Sequence, residues 1–182
     1  MDKQELIAST SAGESVKYLF FWGHRAPSDG SVSKSCLSQW WPADFTVEGI
    51  TYKSAEHWMM AEKARLFGDV ETLSKILTAR TPAEAKSLGR KITSYDEASW
   101  LAARYKIVLT GNQHKFDQNP ELKQWLLQTG SRILVEASPV DPIWGIGLDE
   151  HHPDAAQPER WPGLNLLGFA LMDARELLAI GH

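Results

Sequence analysis

The chain holds a single cysteine, Cys36, which excludes an intrachain disulfide and a cysteine-built zinc site. It also lacks an excess of positive charge. Lys and Arg number 19 against 23 Asp and Glu, giving a net charge of −4 and a pI near 5.9. That balance argues against a long phosphate-tracking groove or a basic membrane-binding face, and is compatible with a local basic pocket. No apolar run is long enough to span a bilayer, and the opening MDKQELIASTSAGESVKY has no signal-peptide core. The expectation is a cytoplasmic protein with no membrane partner. No two histidines stand four apart as in a zinc metalloprotease helix, and neither a P-loop nor a nucleophile elbow is present. Internal repeats and low-complexity tracts are missing as well.

What is present is an ordinary globular composition, 43% hydrophobic and 23% charged, over 182 residues, enough for one domain with its own core. The reading is a flexible lead-in over 1–16 and one domain over 17–182. Tryptophan is abundant, with eight, at 22, 40, 41, 58, 100, 125, 144 and 161. Core packing accounts for several, and stacking on a planar ligand is the sharper alternative for the rest.

The aromatic run YLFFW (18–22) predicts a buried strand, and FTVEGITY (45–52) a hairpin turning at Glu48-Gly49. Helices follow. SAEHWMMAEKARLFG (54–68) has Ser54 as N-cap and Gly68 as stop, and Asp69 caps VETLSKILTA. TPAEAKSLG carries Thr81, Pro82 and Glu84 in the order of a capping box, and Ser94 with Glu97 reads as another. NPELKQWLLQTG runs from Asn119 to Gly130. RILVEA is a strand, followed by a long loop from Ser138 to Asn165, the length of a functional segment. LLGFALMDARELLAI reads as a short strand running into a helix. Helices outnumber strands without alternating with them, so the expected class is α+β, mostly helical around a small β-sheet.

One helix carries a puzzle. At about 100° per residue, Glu56 and Lys63 stand within about 20° of each other on a face shared with Met60. Two charges there are either a solvated edge or the lining of a pocket. In a pocket, desolvation raises a carboxyl pKa and lowers an ammonium pKa, which yields an acid, a base or an imine-forming amine near neutral pH. Asp141, in SPVDPIWGIGL between two prolines, is placed equally well for a site carboxylate or a turn former. The WGIG that follows offers backbone amides at Trp144 and Gly145. The GRK turn at 89–91 suits a phosphate or solvent. His57 has no second histidine at metal spacing, and the pair at 151–152 reads as solvated.

Taken in order, FFWGH, LSQWWPADFTVEGITYKSAEHWMMAEKA, AKSLGRKI, the tryptophan at 100, KF with LKQWLLQTG, LVEASPVDPIWGIGL and NLLGFALMDARE resemble the NADAR (NAD- and ADP-ribose-associated) superfamily of YbiA-like N-glycosidases, over roughly 18–178. The resemblance implies an α+β domain and an N-glycoside hydrolase. One branch of the superfamily cleaves the ribose C1′–N bond of phosphoribosylated riboflavin-pathway intermediates. Another removes ADP-ribose from guanine bases of nucleic acid and accompanies ADP-ribosylating toxins. The implied partners are an ADP-ribosyl or phosphoribosyl substrate, ADP-ribosylated DNA or RNA, and such a toxin system, with neither cofactor nor metal. By matching motifs, Glu56 is the essential glutamate, Lys63 the lysine of EKA, and Asp141 the carboxylate before WG, the three expected catalytic groups. Trp100, Arg90, Trp22, Ser38, Trp40, Trp144 and Gly145 are the expected substrate-binding positions. The chain departs from the family pattern in two places. Its SQW stands where the family has SNF, so Gln39 replaces an asparagine. Its link between WG and the final N-x-LG is long, IGLDEHHPDAAQPERWPGL. The longer rim leans the reading toward the ADP-ribosyl branch, with the riboflavin type and a non-catalytic ADP-ribose or NAD module as alternatives.

Overall fold

Glu48 and Gly49 both take left-handed backbone conformations, with φ of 50° and 80°, the geometry a two-residue hairpin demands at its centre. The chain reverses there, pairing β2 (Phe45–Val47) antiparallel with β3 (Ile50–Tyr52). The computed structural model describes residues 1–181; His182, the last residue of the expected domain, lies outside the described residues. The chain forms two compact units, one continuous over 39–123 and one built from 1–38 together with the chain from 124 onward.

In the continuous unit the hairpin leads into α2 (Ala55–Leu66), α3 (Val70–Thr78), α4 (Pro82–Gly89) and α5 (Glu97–Asp117). The Ser54 hydroxyl accepts from the His57 amide at 3.2 Å, and Gly68 follows the helix at φ 68°. The Asp69 carboxylate caps α3 through the Thr72 amide. Thr81 caps α4 through the Glu84 amide, but Glu84 reaches back to the Arg80 amide rather than to Thr81 itself. The box expected at Ser94 does not form. Asp96 caps α5 instead, and Ser94 sits at φ 59°, outside the helix. Two glycines set how closely α2 is approached. A Cβ at Gly89 would fall 2.0 Å from Met60 Sδ, and one at Gly111 would fall 2.3 Å from Trp58 Cδ1. Trp58 also packs edge-on to Tyr52, 5.0 Å between ring centres, and donates its indole N–H to the Ile107 carbonyl.

In the other unit, β1 (Tyr18–Phe21) pairs parallel with β4 (Ile133–Glu136), and α7 (Leu166–Ile180) packs on β4. Close packing is possible because Gly168 has no Cβ; one would stand 2.1 Å from the Leu134 carbonyl oxygen. The strand expected at the start of this segment is helix from Leu166 on. Asn165, at φ 54° and fully buried, turns the chain into it. Its side chain accepts from the Glu136 amide and donates to the Leu134 carbonyl, satisfying two main-chain groups of β4. The lead-in also differs from expectation, since residues 3–11 form α1 (Lys3–Ser11). Asp2 and Glu5 exchange side-chain hydrogen bonds in a complete capping box, and Leu6 is fully buried, a burial that stabilises by about 1.5–3 kcal/mol. Lys3 donates to the Trp161 carbonyl at 2.5 Å, which fastens α1 to the long loop. In chain order, α6 (Pro120–Gln128) follows α5.

The class is α+β and mostly helical, as expected, but the strands form two two-stranded sheets rather than one. Among the described residues no helix is long and apolar enough to cross a membrane.

Candidate active site

The first turn of α2 places Glu56 at a helix start whose cap and backbone are already bound. Its amide donates to the Gln39 carbonyl at 3.0 Å. The side chain of Glu56 is buried, with the residue only 3% exposed, so the solvated-edge alternative is excluded for this carboxylate. Two turns on, Lys63 is half-buried. Its Nζ donates to the Gly89 carbonyl at 3.2 Å and lies 5.0 Å from the Tyr95 ring centre and 5.4 Å from that of Trp100. Burial pushes the Lys63 ammonium below the usual lysine value, and the charge of Glu56 opposes that shift. The two charges found on one helical face in the sequence thus act on each other in the fold.

Trp100 is 9% exposed, which makes it a wall of the lysine's surroundings. Arg90 follows Gly89, is exposed, and has no ion-pair partner among the described residues. Trp40 is half-buried, with the Lys86 ammonium 5.8 Å from its ring. Gln39 is buried, and its carbonyl oxygen accepts from the Asn112 amide at 2.9 Å. Gln39 Nε2 and Asn112 Oδ1, both buried, have no hydrogen-bond partner among the described residues. Neither Asn112 nor Tyr95 was singled out from the sequence. Asn112 lies mid-helix and Tyr95 in a polar loop, and no spacing rule marks either.

His57 plays a different part. It is 2% exposed, with Nε2 3.0 Å from the Ala79 carbonyl oxygen and Nδ1 2.6 Å from the Ser54 hydroxyl. A carbonyl only accepts, so Nε2 carries the hydrogen and Nδ1 accepts from Ser54. Burial holds its pKa below the ordinary histidine value. His57 is a neutral brace between α2 and the end of α3.

The opposite side of α2 lines a cavity of about 790 Å³ with the hairpin and α5. Trp58, Glu62 and Arg65 face it, and neither Glu56 nor Lys63 does. Arg65 is held there by Glu62 at 2.5 Å.

In the other unit, Asp141 builds its own loop. One carboxylate oxygen accepts from both the Ile143 and Trp144 amides at 2.9 Å. Its second oxygen accepts no hydrogen bond from the described residues. Gly145 is needed because a Cβ would stand 2.8 Å from the Glu136 carbonyl oxygen and 3.0 Å from that of Asp141. Trp144 is half-buried, Ser38 is half-buried, and Trp22 is 54% exposed at the end of β1. The long loop is internally fastened. Trp161 donates to the Ala155 carbonyl, and Lys34 pairs with Glu150 at 3.3 Å. The structure therefore gathers Glu56, Lys63 and Trp100 in one unit, with Arg90 beside them in sequence from Gly89. It gathers Asp141, Trp144 and Gly145 in the other.

The NADAR domain family matches residues 20–179. The chain belongs to the NADAR family. An N-glycosidase of Acanthamoeba polyphaga mimivirus is 42% identical over 90% of this chain and 97% of its own length. The N-glycosidase YbiA of Escherichia coli is 31% identical over 77% of this chain and 78% of its own. The solution structure of the E. coli protein YbiA superposes with a TM-score of 0.73 at 26% identity, covering 92% of this chain and 88% of that one. A riboflavin biosynthesis protein of Vibrio vulnificus is 34% identical over 78% of this chain, which spans only 35% of that protein. The expected enzyme class, a hydrolase of N-glycosyl bonds, agrees with the names these NADAR relatives carry.

Proposed function

We propose that this NADAR protein hydrolyses the bond between ribose C1′ and a base nitrogen, with ADP-ribosylated guanine in nucleic acid as substrate. N-glycoside hydrolysis is the activity its relatives are named for. The observation that carries the reading is the pairing of a buried carboxylate, Glu56, with a half-buried amine whose pKa is lowered, Lys63, on one face of α2.

Cleaving the bond requires a proton on the leaving nitrogen and stabilisation of positive charge at C1′. Glu56 supplies the proton. The Lys63 lone pair forms a bond to C1′ as the C1′–N bond breaks, and that bond's electron pair leaves with the protonated base. Ring opening converts the sugar–lysine adduct to a protonated imine, and water hydrolyses it to free sugar and an ammonium, whose proton returns to Glu56 and leaves the amine free. Asp141 orients water or a ribose hydroxyl with the carboxylate oxygen its own loop leaves open. Arg90 pairs with a phosphate. Trp22, Trp40, Trp144, Ser38 and Gly145 are the candidates for substrate contact that their motifs single out.

The length of the link from Trp144 to Asn165 is what leans the reading toward the larger ADP-ribosyl substrate. The name of the Vibrio vulnificus relative favours a phosphoribosylated riboflavin intermediate as the second reading. Incubation with each substrate and detection of the released sugar decides between them. Glu56→Gln is expected to keep the fold and lose about 10²–10⁴ in turnover; unchanged turnover refutes its role. Tight ADP-ribose binding with no sugar released from either substrate would make the chain a binding module. Borohydride during turnover is expected to trap the sugar on Lys63, and its failure to do so would leave acid/base hydrolysis without a covalent step.

A further inference from the structure

Trp100, expected among the substrate-binding positions, is nearly enclosed, with 9% of its surface exposed. A stacking platform must keep ring surface open to its ligand, and the aromatic residue beside Lys63 that does so is Tyr95, 48% exposed. We infer that Tyr95 is the residue that contacts the planar leaving base and so sets specificity for it; this rests on the reading of Lys63 as the group at C1′.

Three observations support it. First, Tyr95 is braced. Its ring packs on Phe67 at 5.3 Å between centres, with the rings tilted by 57°. Second, the loop that carries it is anchored. Asp69 accepts from the Thr72 amide and hydroxyl and from the Thr93 amide and hydroxyl, at 2.7–3.1 Å. That carboxylate ties the start of α3 to the residue two before Tyr95, and Asp96, just after it, caps α5. An exposed aromatic held from both sides loses little freedom on binding a ligand. Third, the distances fit. A reacting C1′ stands about 3–3.5 Å from its nucleophile. With Lys63 Nζ 5.0 Å from the Tyr95 ring centre, a base attached to that carbon has its ring within the about 4.5–7 Å range of an aromatic pair.

The test uses the full chain as wild type and three variants, Tyr95→Phe, Tyr95→Leu and Tyr95→Ala. Each is assayed with ADP-ribosylated guanine oligonucleotide and with the phosphoribosylated aminopyrimidine. ADP-ribose and ribose 5-phosphate serve as inhibitors that lack the leaving base at C1′. Binding of free guanosine monophosphate is followed in parallel by fluorescence. Loss of a stacked base weakens binding by roughly ten- to a hundredfold. The expected result is that KM rises by that factor in Tyr95→Leu and Tyr95→Ala and is restored in Tyr95→Phe. Inhibition by the two sugars stays unchanged throughout. An equal loss of sugar binding overturns the inference, because Tyr95 would then support the pocket rather than the base. So does an unchanged KM with a shifted alkaline limb of kcat, because Tyr95 would then act through Lys63. If neither substrate is cleaved, the proposed reaction fails, while unequal binding of guanosine monophosphate by wild type and Tyr95→Leu still decides the role of Tyr95.

Discussion

Lys63 donates from its Nζ to the carbonyl oxygen of Gly89, and the atom that prevents a side chain at Gly89 is the sulfur of Met60, three residues before Lys63 on the same helix. α2 therefore fixes the end of α4 at van der Waals distance and then hydrogen-bonds to it. Gly89→Ala forces Met60 Sδ aside. The cost is expected to be about 1–3 kcal/mol, read as a lower denaturation midpoint, with kcat reduced because the oxygen that orients the amine moves. Adding Met60→Ala is expected to recover part of the kcat. If Gly89→Ala leaves both stability and kcat untouched, the contact does not position Lys63.

The charge of Glu56 raises the Lys63 pKa against the larger lowering by burial. Glu56→Gln removes only the first influence, so the amine becomes more acidic still. The rate of lysine modification by an acylating reagent, followed against pH and mapped to Lys63, is expected to titrate at lower pH in Glu56→Gln than in wild type. The sign for stability is equally fixed. A lysine with a depressed folded pKa binds fewer protons than the unfolded chain between the folded value and about 10.4. Stability contributed at this site rises with pH through that window, and Lys63→Met is expected to flatten the rise.

Asp141 has two functions that one substitution separates. Asn at this position keeps an oxygen for the Ile143 and Trp144 amides, and Ala does not. Asp141→Asn is expected to hold stability within about 0.5 kcal/mol, whereas Asp141→Ala loses about 1–2 kcal/mol. If the charge acts in the reaction, both lose turnover. Full activity in Asp141→Asn would assign the residue to the loop alone.

His57 sets an acid limit on the fold. It is held neutral by burial, between the Ala79 carbonyl and the Ser54 hydroxyl. Its folded pKa lies below the ordinary value of about 6.5, so its contribution is complete above that value and is lost as pH falls through the folded one. Thermal unfolding between about pH 7.5 and 5 is expected to show a falling midpoint in wild type and a flatter profile in His57→Gln. Parallel profiles would mean that other groups carry the acid sensitivity.

Local chemistry made much of this structure legible in the sequence. The hairpin at Glu48-Gly49 and the caps at Ser54, Asp69 and Thr81 depend on residues within four positions of each other, and each is found where it was expected. Elements whose stability comes from distant partners were hidden. α1 shows no apolar stripe of helical period; it is held by its capping box, by Leu6 in the core and by Lys3 on the Trp161 carbonyl. The start of α7 looks like a strand because its apolar run is unbroken, and only the left-handed Asn165, bound to Leu134 and Glu136, turns it into a helix. In the site, spacing alone placed Glu56 and Lys63 on one face, but could not show that the carboxylate is buried or that Tyr95 arrives beside the amine from a loop. The Ser94 box failed for a related reason. Asp96, two residues later, competes for the same helix start, and Ser94 takes a left-handed turn instead.

The parallel pairing of β1 with β4 joins Tyr18 to Ile133, with the whole continuous unit lying between them in the chain. During synthesis β1 leaves the ribosome with no strand to pair with. Residues 39–123 emerge and make their own contacts before β4 exists. Closing the β1–β4 ladder is thus a late, long-range step whose loop entropy is met only once most of the chain is made. In the interval Tyr18–Phe21 is an apolar strand without its partner, the kind of transiently exposed edge that favours aggregation.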